Sequence, residues 1–289
     1  MCLKCRVCAA KGRGNDSIPT AIFSQILPFS NLVFRLFIEV STSTLIVGYN
    51  TVAVKGGKLN LLTVSFETVG GKESIATLND VMDTTPLTSY SEDGNTPGDY
   101  IDTWDMASGN WGETYFYVNL PSWNYDNVDY TDTWADSSLT PVNPELPNGS
   151  SFWLFHSGND IEALTFAGQV ASSQTGYTLA AGKLNLCGNP FPTTLNLSDK
   201  TQVTIANPTS YSEDGNTPGD YIDTWDLASG NWGETYFYVN LPSWNYEDVD
   251  YTDTWADSSL TPTSTDIQAG AGFWYYAAGE GTTLTFSAL

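Results

Sequence analysis

The chain has 289 residues, with 33 acids against ten lysines and arginines and a formal net charge of −23. Such a surface repels phosphates, which excludes nucleic acid as a partner, and it equally repels an anionic membrane surface. With 41% hydrophobic and 13% aromatic residues the acidity is not that of a disordered chain.

Residues 1–45 are a sequence of another kind, with five basic residues and two acids. Lys4, Arg6, Lys11 and Arg13 precede an apolar stretch from Ile18 to Phe34, the order of a signal peptide, with Pro19 and Pro28 interrupting the apolar part. The expectation is a signal-like segment or a mis-assigned start upstream of the true one, since the stretch is too short and broken to span a membrane. Cys2, Cys5 and Cys8 are spaced like cluster ligands, but the fourth cysteine and its following proline are missing, so no metal is assigned to them.

From Ile46 onward the chain repeats itself. Thr88–Pro141 recurs as Thr209–Pro262 at a constant shift of 121, with only Met106/Leu227, Asp126/Glu247 and Asn127/Asp248 differing. A fixed period defines the structural unit. The identity extends to positions that face solvent, which points to recent duplication and makes it a poor guide to which residues work. The flanks have diverged further. There Gly48-Tyr49 matches Gly176-Tyr177, Gly57–Leu61 matches Gly182–Leu186, Gly149, Phe152 and Trp153 match Gly270, Phe273 and Trp274, and Leu164–Phe166 matches Leu284–Phe286. These matches predict a first domain over 46–168 and a second over 169–289.

Short alternating runs predict strands: Leu59, Leu61 and Thr63 against Asn60 and Leu62; Phe116, Val118 and Leu120 against Tyr115, Tyr117 and Asn119; Leu164 and Phe166 around Thr165. Turn signals such as Asp93-Gly94-Asn95, Ser108-Gly109-Asn110 and Pro147-Asn148-Gly149 separate them. No window of the units carries a helical apolar period. The expected fold class is all-β, as tandem β-sandwich-like domains formed by two homologous repeats, with a single closed sheet shared by both as the alternative.

The repeat region holds five lysines, no arginine and 31 acids, a net charge of −26. Without arginine it has no bidentate fork for a carboxylate or phosphate ligand. Its acids offer hard oxygen ligands, and Glu92, Asp93, Asp126, Asp129 and Asp132 are the candidate calcium loops, although no helix-flanked or nonapeptide calcium pattern is present. Apart from calcium no cofactor is expected. The only histidine, His156, stands opposite Ala277 in the other copy, and Cys187 opposite Leu62, which argues against zinc and leaves no disulfide within a unit. A glycan-cleaving carboxylate pair would start from Glu113 or Glu234, with Asp102 and Asp105 or their copies nearby in sequence. Solvated surface acids are far commoner, and no catalytic residue is assigned.

The aromatics are the better candidates. Trp111, Trp123 and Trp134, and their copies Trp232, Trp244 and Trp255, lie beside asparagines and acids, a combination suited to covering a pyranose ring while polar groups take its hydroxyls. Trp153 and Trp274, in apolar runs, are expected in the core.

The run Gly182-Lys183-Leu184-Asn185-Leu186-Cys187-Gly188-Asn189-Pro190-Phe191-Pro192, with Gly272-Phe273-Trp274 and Thr283-Leu284-Thr285-Phe286, resembles modules of bacterial secreted and cell-surface proteins with a "GWNLVGNPYP…GFW…TLTF"-like framework. The first unit departs from it, with Leu62–Phe66 in place of the Gly-Asn-Pro turn. The resemblance implies export and a surface setting, and carries no site residues. The resulting expectation is a non-catalytic secreted or surface-displayed repeat protein acting in adhesion, display or a structural array. A pair of carbohydrate-binding modules is the alternative, and a glycan-cleaving enzyme the third. The partner would be an extracellular glycan or another surface protein.

Overall fold

The structure, a computed structural model, describes residues 46–69, 75–124, 127–245 and 248–287. The signal-like segment and its three cysteines lie outside these. The first half contributes β1 (Val47–Val54), β2 (Lys58–Thr63), β3 (Ile75–Thr77), β4 (Tyr100–Asp105) and β5 (Asn110–Val118). It continues with β6 (Thr133–Ala135), β7 (Pro141–Val142), β8 (Glu145–Pro147), β9 (Ser151–His156) and β10 (Ile161–Gln169). The second half adds β11 (Thr175–Thr178), β12 (Lys183–Gly188), β13 (Leu195–Asn196), β14 (Val203–Ala206) and β15 (Tyr221–Asp226). The last are β16 (Asn231–Val239), β17 (Thr254–Ala256), β18 (Asp266–Ile267), β19 (Gly272–Ala277) and β20 (Thr283–Phe286). The fold is all-β, and α1 (Leu78–Val81) is a single turn. Among the described residues no helix is long and apolar enough to cross a membrane.

Each half builds one large antiparallel sheet, in the order β2-β9-β4-β5-β6-β7 and β12-β19-β15-β16-β17, flanked by smaller sheets β1-β10 and β11-β20-β14. The central strand β9 is apolar on both faces, as a strand covered on both sides must be. Phe152 and Leu154 enter the main core with Leu164, Phe166 and Trp134, while Trp153 points the opposite way. Gly98 lets the chain leave the Tyr90 turn, because a Cβ there would collide with the carbonyl oxygens of Thr88 and Ser89.

Residues Leu45–Leu289 form one compact unit, and the expected boundary after residue 168 falls inside it. One connected core holds Phe152, Leu164 and Phe166 from the first half with Phe273, Leu284 and Phe286 from the second. The halves meet reciprocally. Trp104 sets its ring 4.7 Å from Trp274 at 85°, and Trp225, the copy of Trp104, sits 5.0 Å from Trp153 at 86°. Between them Leu61, Trp153, Leu186 and Trp274 form a separate apolar cluster. Lys183 Nζ donates to the carbonyl of Ser108 at 2.7 Å across the same seam.

Register corrects one sequence match. Tyr177 pairs with Leu284, the position that Val52 takes opposite Leu164, whereas Tyr49 lies opposite Ala167. The Gly48-Tyr49 match to Gly176-Tyr177 is therefore not a structural equivalence, and Tyr49 remains 74% exposed while Tyr177 bonds the Gly149 carbonyl. Val52 and Tyr177 do correspond: a Cβ on Gly270 would meet Val52, and one on Gly149 would meet Tyr177.

Candidate functional site

Along β4, Ile101 enters the main core, which leaves Tyr100 and Asp102 on the other face, with Phe155 and Trp153 beside them on β9. On β5, Phe116 and Thr114 pair with Tyr100 and Asp102 and share that face. Simple alternation would then turn Trp111 to the opposite side. A β-bulge prevents this: register shifts between Asp102 and Trp104, so that Gly112 and Glu113 together oppose Thr103 and Trp111 pairs with Trp104. Thr103 Oγ1 secures the bulge by donating to the Glu113 carbonyl at 2.9 Å. The same register and bulge recur at Asp223/Trp225 and Trp232.

The result in each half is a row of rings on one face. Tyr100 stacks on Phe155 at 5.0 Å and 16°, and Tyr221 on Tyr276 at 4.9 Å and 18°. Trp111 meets Trp104 edge-on at 5.5 Å, as Trp232 meets Trp225 at 5.3 Å. One carboxylate interrupts each row. Asp102 Oδ1 accepts from Thr114 Oγ1 at 2.5 Å, and Asp223 Oδ1 from Thr235 Oγ1 at 2.6 Å. Burial, and secondarily the Asp102 charge, pushes the Tyr100 phenol above its ordinary range.

Of the six candidate tryptophans, two are open. Trp111 is 58% and Trp232 53% exposed. Trp123 and Trp244 are half-buried, their indole N–H donating to the carbonyls of Glu92 and Glu213 at 3.1 and 3.2 Å and their rings set against Tyr130 and Tyr251. Trp134 and Trp255 are 0% and 1% exposed, so neither serves a surface. They alternate onto the inner face of β6 and β17, opposite Tyr117 and Tyr238, with which they pack edge-on.

The candidate calcium acids are mostly held in their own turns. Asp93 accepts from Ser91 and the Asn95 amide, and Asp129 from Asn124 and the Thr131 amide. Those bonds hold both carboxyls below the ordinary range. Ser122 reaches Glu92 at 3.4 Å, and Asp132 accepts from Thr84 and Tyr117. Asp126 lies outside the described residues, among which no three potential ligands converge on a metal position. Nor does Glu113 face Asp102: Thr114 pairs with Asp102, and Glu113 alternates with Thr114 onto the other side of the strand. The Cys187 thiol is buried and unpaired, and burial pushes its pKa up.

The structure adds a polar site that the sequence did not single out. Asp99, fully buried, accepts from the Thr88 amide and from the Ser157 amide and hydroxyl, while His156 Nδ1 lies 2.6 Å from its Oδ2. In the second half Asp220 accepts from Tyr275 Oη and the Ala278 amide instead, both at 2.8 Å, and burial raises its carboxyl. A sequence signal existed, because Leu154/Tyr275 and His156/Ala277 change together beside an invariant aspartate.

Burial and the bond to Asp132 raise the Tyr117 phenol to about 12. A phenol raised in the folded state contributes stability that is complete below its unfolded value and lost as pH climbs through the folded one. Denaturant melts should therefore show stability falling from about pH 10 toward pH 12. An unchanged midpoint across that window would contradict the buried Tyr117–Asp132 pair.

In comparisons with known proteins, no family model, no curated protein and no solved structure matches this chain.

Proposed function

We propose that the chain is a non-catalytic secreted or cell-surface protein, built from two homologous β-sandwich-like repeats and acting in adhesion or display. The observation that carries this reading is the duplicated ring-lined face, ending in the exposed Trp111 and Trp232 on an otherwise acidic surface. Exposed aromatic surface on a rigid sheet fits partner contact. The alternation that sets Glu113 on the opposite side of β5 from Thr114, the partner of Asp102, supports binding over glycan hydrolysis, which needs two carboxyls flanking one bond. The resemblance to secreted modules supports the setting.

The reciprocal seam favours a closed pair over an open array. Each half offers the same contacts that it receives, and such isologous surfaces are used up when two units meet. Carbohydrate is the second reading, favoured by indole rings that stay more than half exposed although each leans on a neighbouring tryptophan.

Both readings use the same two residues. Trp111→Ala combined with Trp232→Ala should abolish retention on whole cells, or in gels cast with polysaccharide, while costing about 1 kcal/mol or less per site in unfolding stability. Full retention by the double variant would remove the ring-lined faces from function.

A further inference from the structure

We propose that the two ring-lined faces bind cationic side chains of a partner polypeptide, with Asp102 and Asp223 each receiving a lysine ammonium or arginine guanidinium among the surrounding rings. The inference rests on the reading of these faces as binding surfaces and names what they bind. Asp102 is flanked on its own strand by Tyr100 and Trp104 and stands opposite Trp153 on β9 and Thr114 on β5. Asp223 has the matching set in Tyr221, Trp225, Trp274 and Thr235. Same-face neighbours are about 5 Å away across strands and about 7 Å along one. Trp153 and Trp274 are closed into the seam at 6% and 7% exposure, whereas Tyr100, Asp102, Tyr221 and Asp223 stay partly exposed, so each carboxylate offers a partly open approach beside a tyrosine ring. Ring faces attract cations through their quadrupole, and a carboxylate beside them adds direct charge.

Each carboxylate uses one oxygen on a threonine hydroxyl, and its second has no protein partner among the described residues. Among the described residues no ion pair reaches either carboxylate. The described lysines in ion pairs are Lys55 with Asp160 and Lys200 with Asp253, Lys183 is spent on the Ser108 carbonyl, and the repeat region has no arginine. A net charge of −26 over the repeat region draws basic partners from a distance and selects against acidic ones. A neutral sugar would gain little from that field.

The test is a fluorescence and calorimetric titration of the full chain with a lysine pentapeptide, at low and at added salt, beside a neutral β-linked oligosaccharide. Peptide binding should quench tryptophan emission and weaken with salt. Asp102→Asn with Asp223→Asn should weaken it about tenfold, the loss of a charge-assisted contact. Trp111→Ala with Trp232→Ala, at exposed positions, should weaken it as well and decides the matter if the asparagine variant fails to fold. Equal peptide affinity in a folded asparagine variant would overturn the proposal, leaving only diffuse attraction to an acidic surface. Oligosaccharide binding without peptide binding would overturn it too, while sparing the faces as binding surfaces. Binding of neither probe, with cell and polysaccharide retention also absent, would sink both readings.

Discussion

Replacing Asp99 with alanine should destabilise the folded protein by about 3–5 kcal/mol, as expected when one partner of a buried polar pair is removed. The side chain is fully buried and accepts from two backbone amides and the Ser157 hydroxyl, with the imidazole of His156 against it. Alanine would remove the one buried acceptor that these groups share. The two halves also predict a rescue. His156→Ala alone leaves Asp99 short of a partner, whereas the second half satisfies Asp220 with the Tyr275 hydroxyl from the position of Leu154. Leu154→Tyr with His156→Ala should therefore be more stable than His156→Ala, a non-additive pair of the kind that contacting residues show. Urea midpoints of His156→Ala, Leu154→Tyr and the double variant decide it, and strict additivity would break the equivalence of the two networks.

Trp134→Ala, and likewise Trp255→Ala, should cost about 3–5 kcal/mol, because a large ring leaves a void in a packed interior that relaxes only in part. Trp134 fills the core between Tyr117 and the strands of the first sheet, and Trp255 packs on Tyr238 and Tyr275. The contrast with Trp111, from the same sequence block, is the informative measurement. Acrylamide should quench Trp111 and Trp232 readily and spare Trp134 and Trp255, and equal costs for Trp111→Ala and Trp134→Ala would contradict their placement.

Much of the architecture was legible from residue order. The alternation of Leu59–Thr63, Tyr115–Leu120 and Leu164–Phe166 marks strands that are present as β2, β5 and β10, and Asn-, Gly- and Pro-rich segments mark the turns between them. The core placement of Trp153 and Trp274 followed from their apolar neighbours, and both are under 10% exposed. The tryptophans of the copied block could not be sorted in the same way. Their local sequences are alike in polarity, and duplication carried every one of them across unchanged, so comparison of the copies removed none. Trp134 is set apart only because its short strand pairs with β5 at Tyr117 and so faces inward. Trp111 reaches the outer face through the bulge at Gly112-Glu113, which breaks the two-residue period that sequence reasoning assumes. The Gly48-Tyr49 match misled for a related reason: two residues of identity carry no register, whereas strand pairing does.

The sequence by itself determined the all-β class, the period, and the chemistry available to the copied block: carboxylates, amides, hydroxyls and rings, with no arginine, histidine or cysteine. Those are properties of composition and local alternation, which a chain displays without knowing its neighbours. Tertiary structure alone decided that the two halves share one core, that their tryptophans interlock across a seam, and that Asp102 and Asp223 stand among rings. Each of those depends on strands far apart in sequence coming into a particular register, and register is fixed by packing of the whole sheet rather than by any one segment.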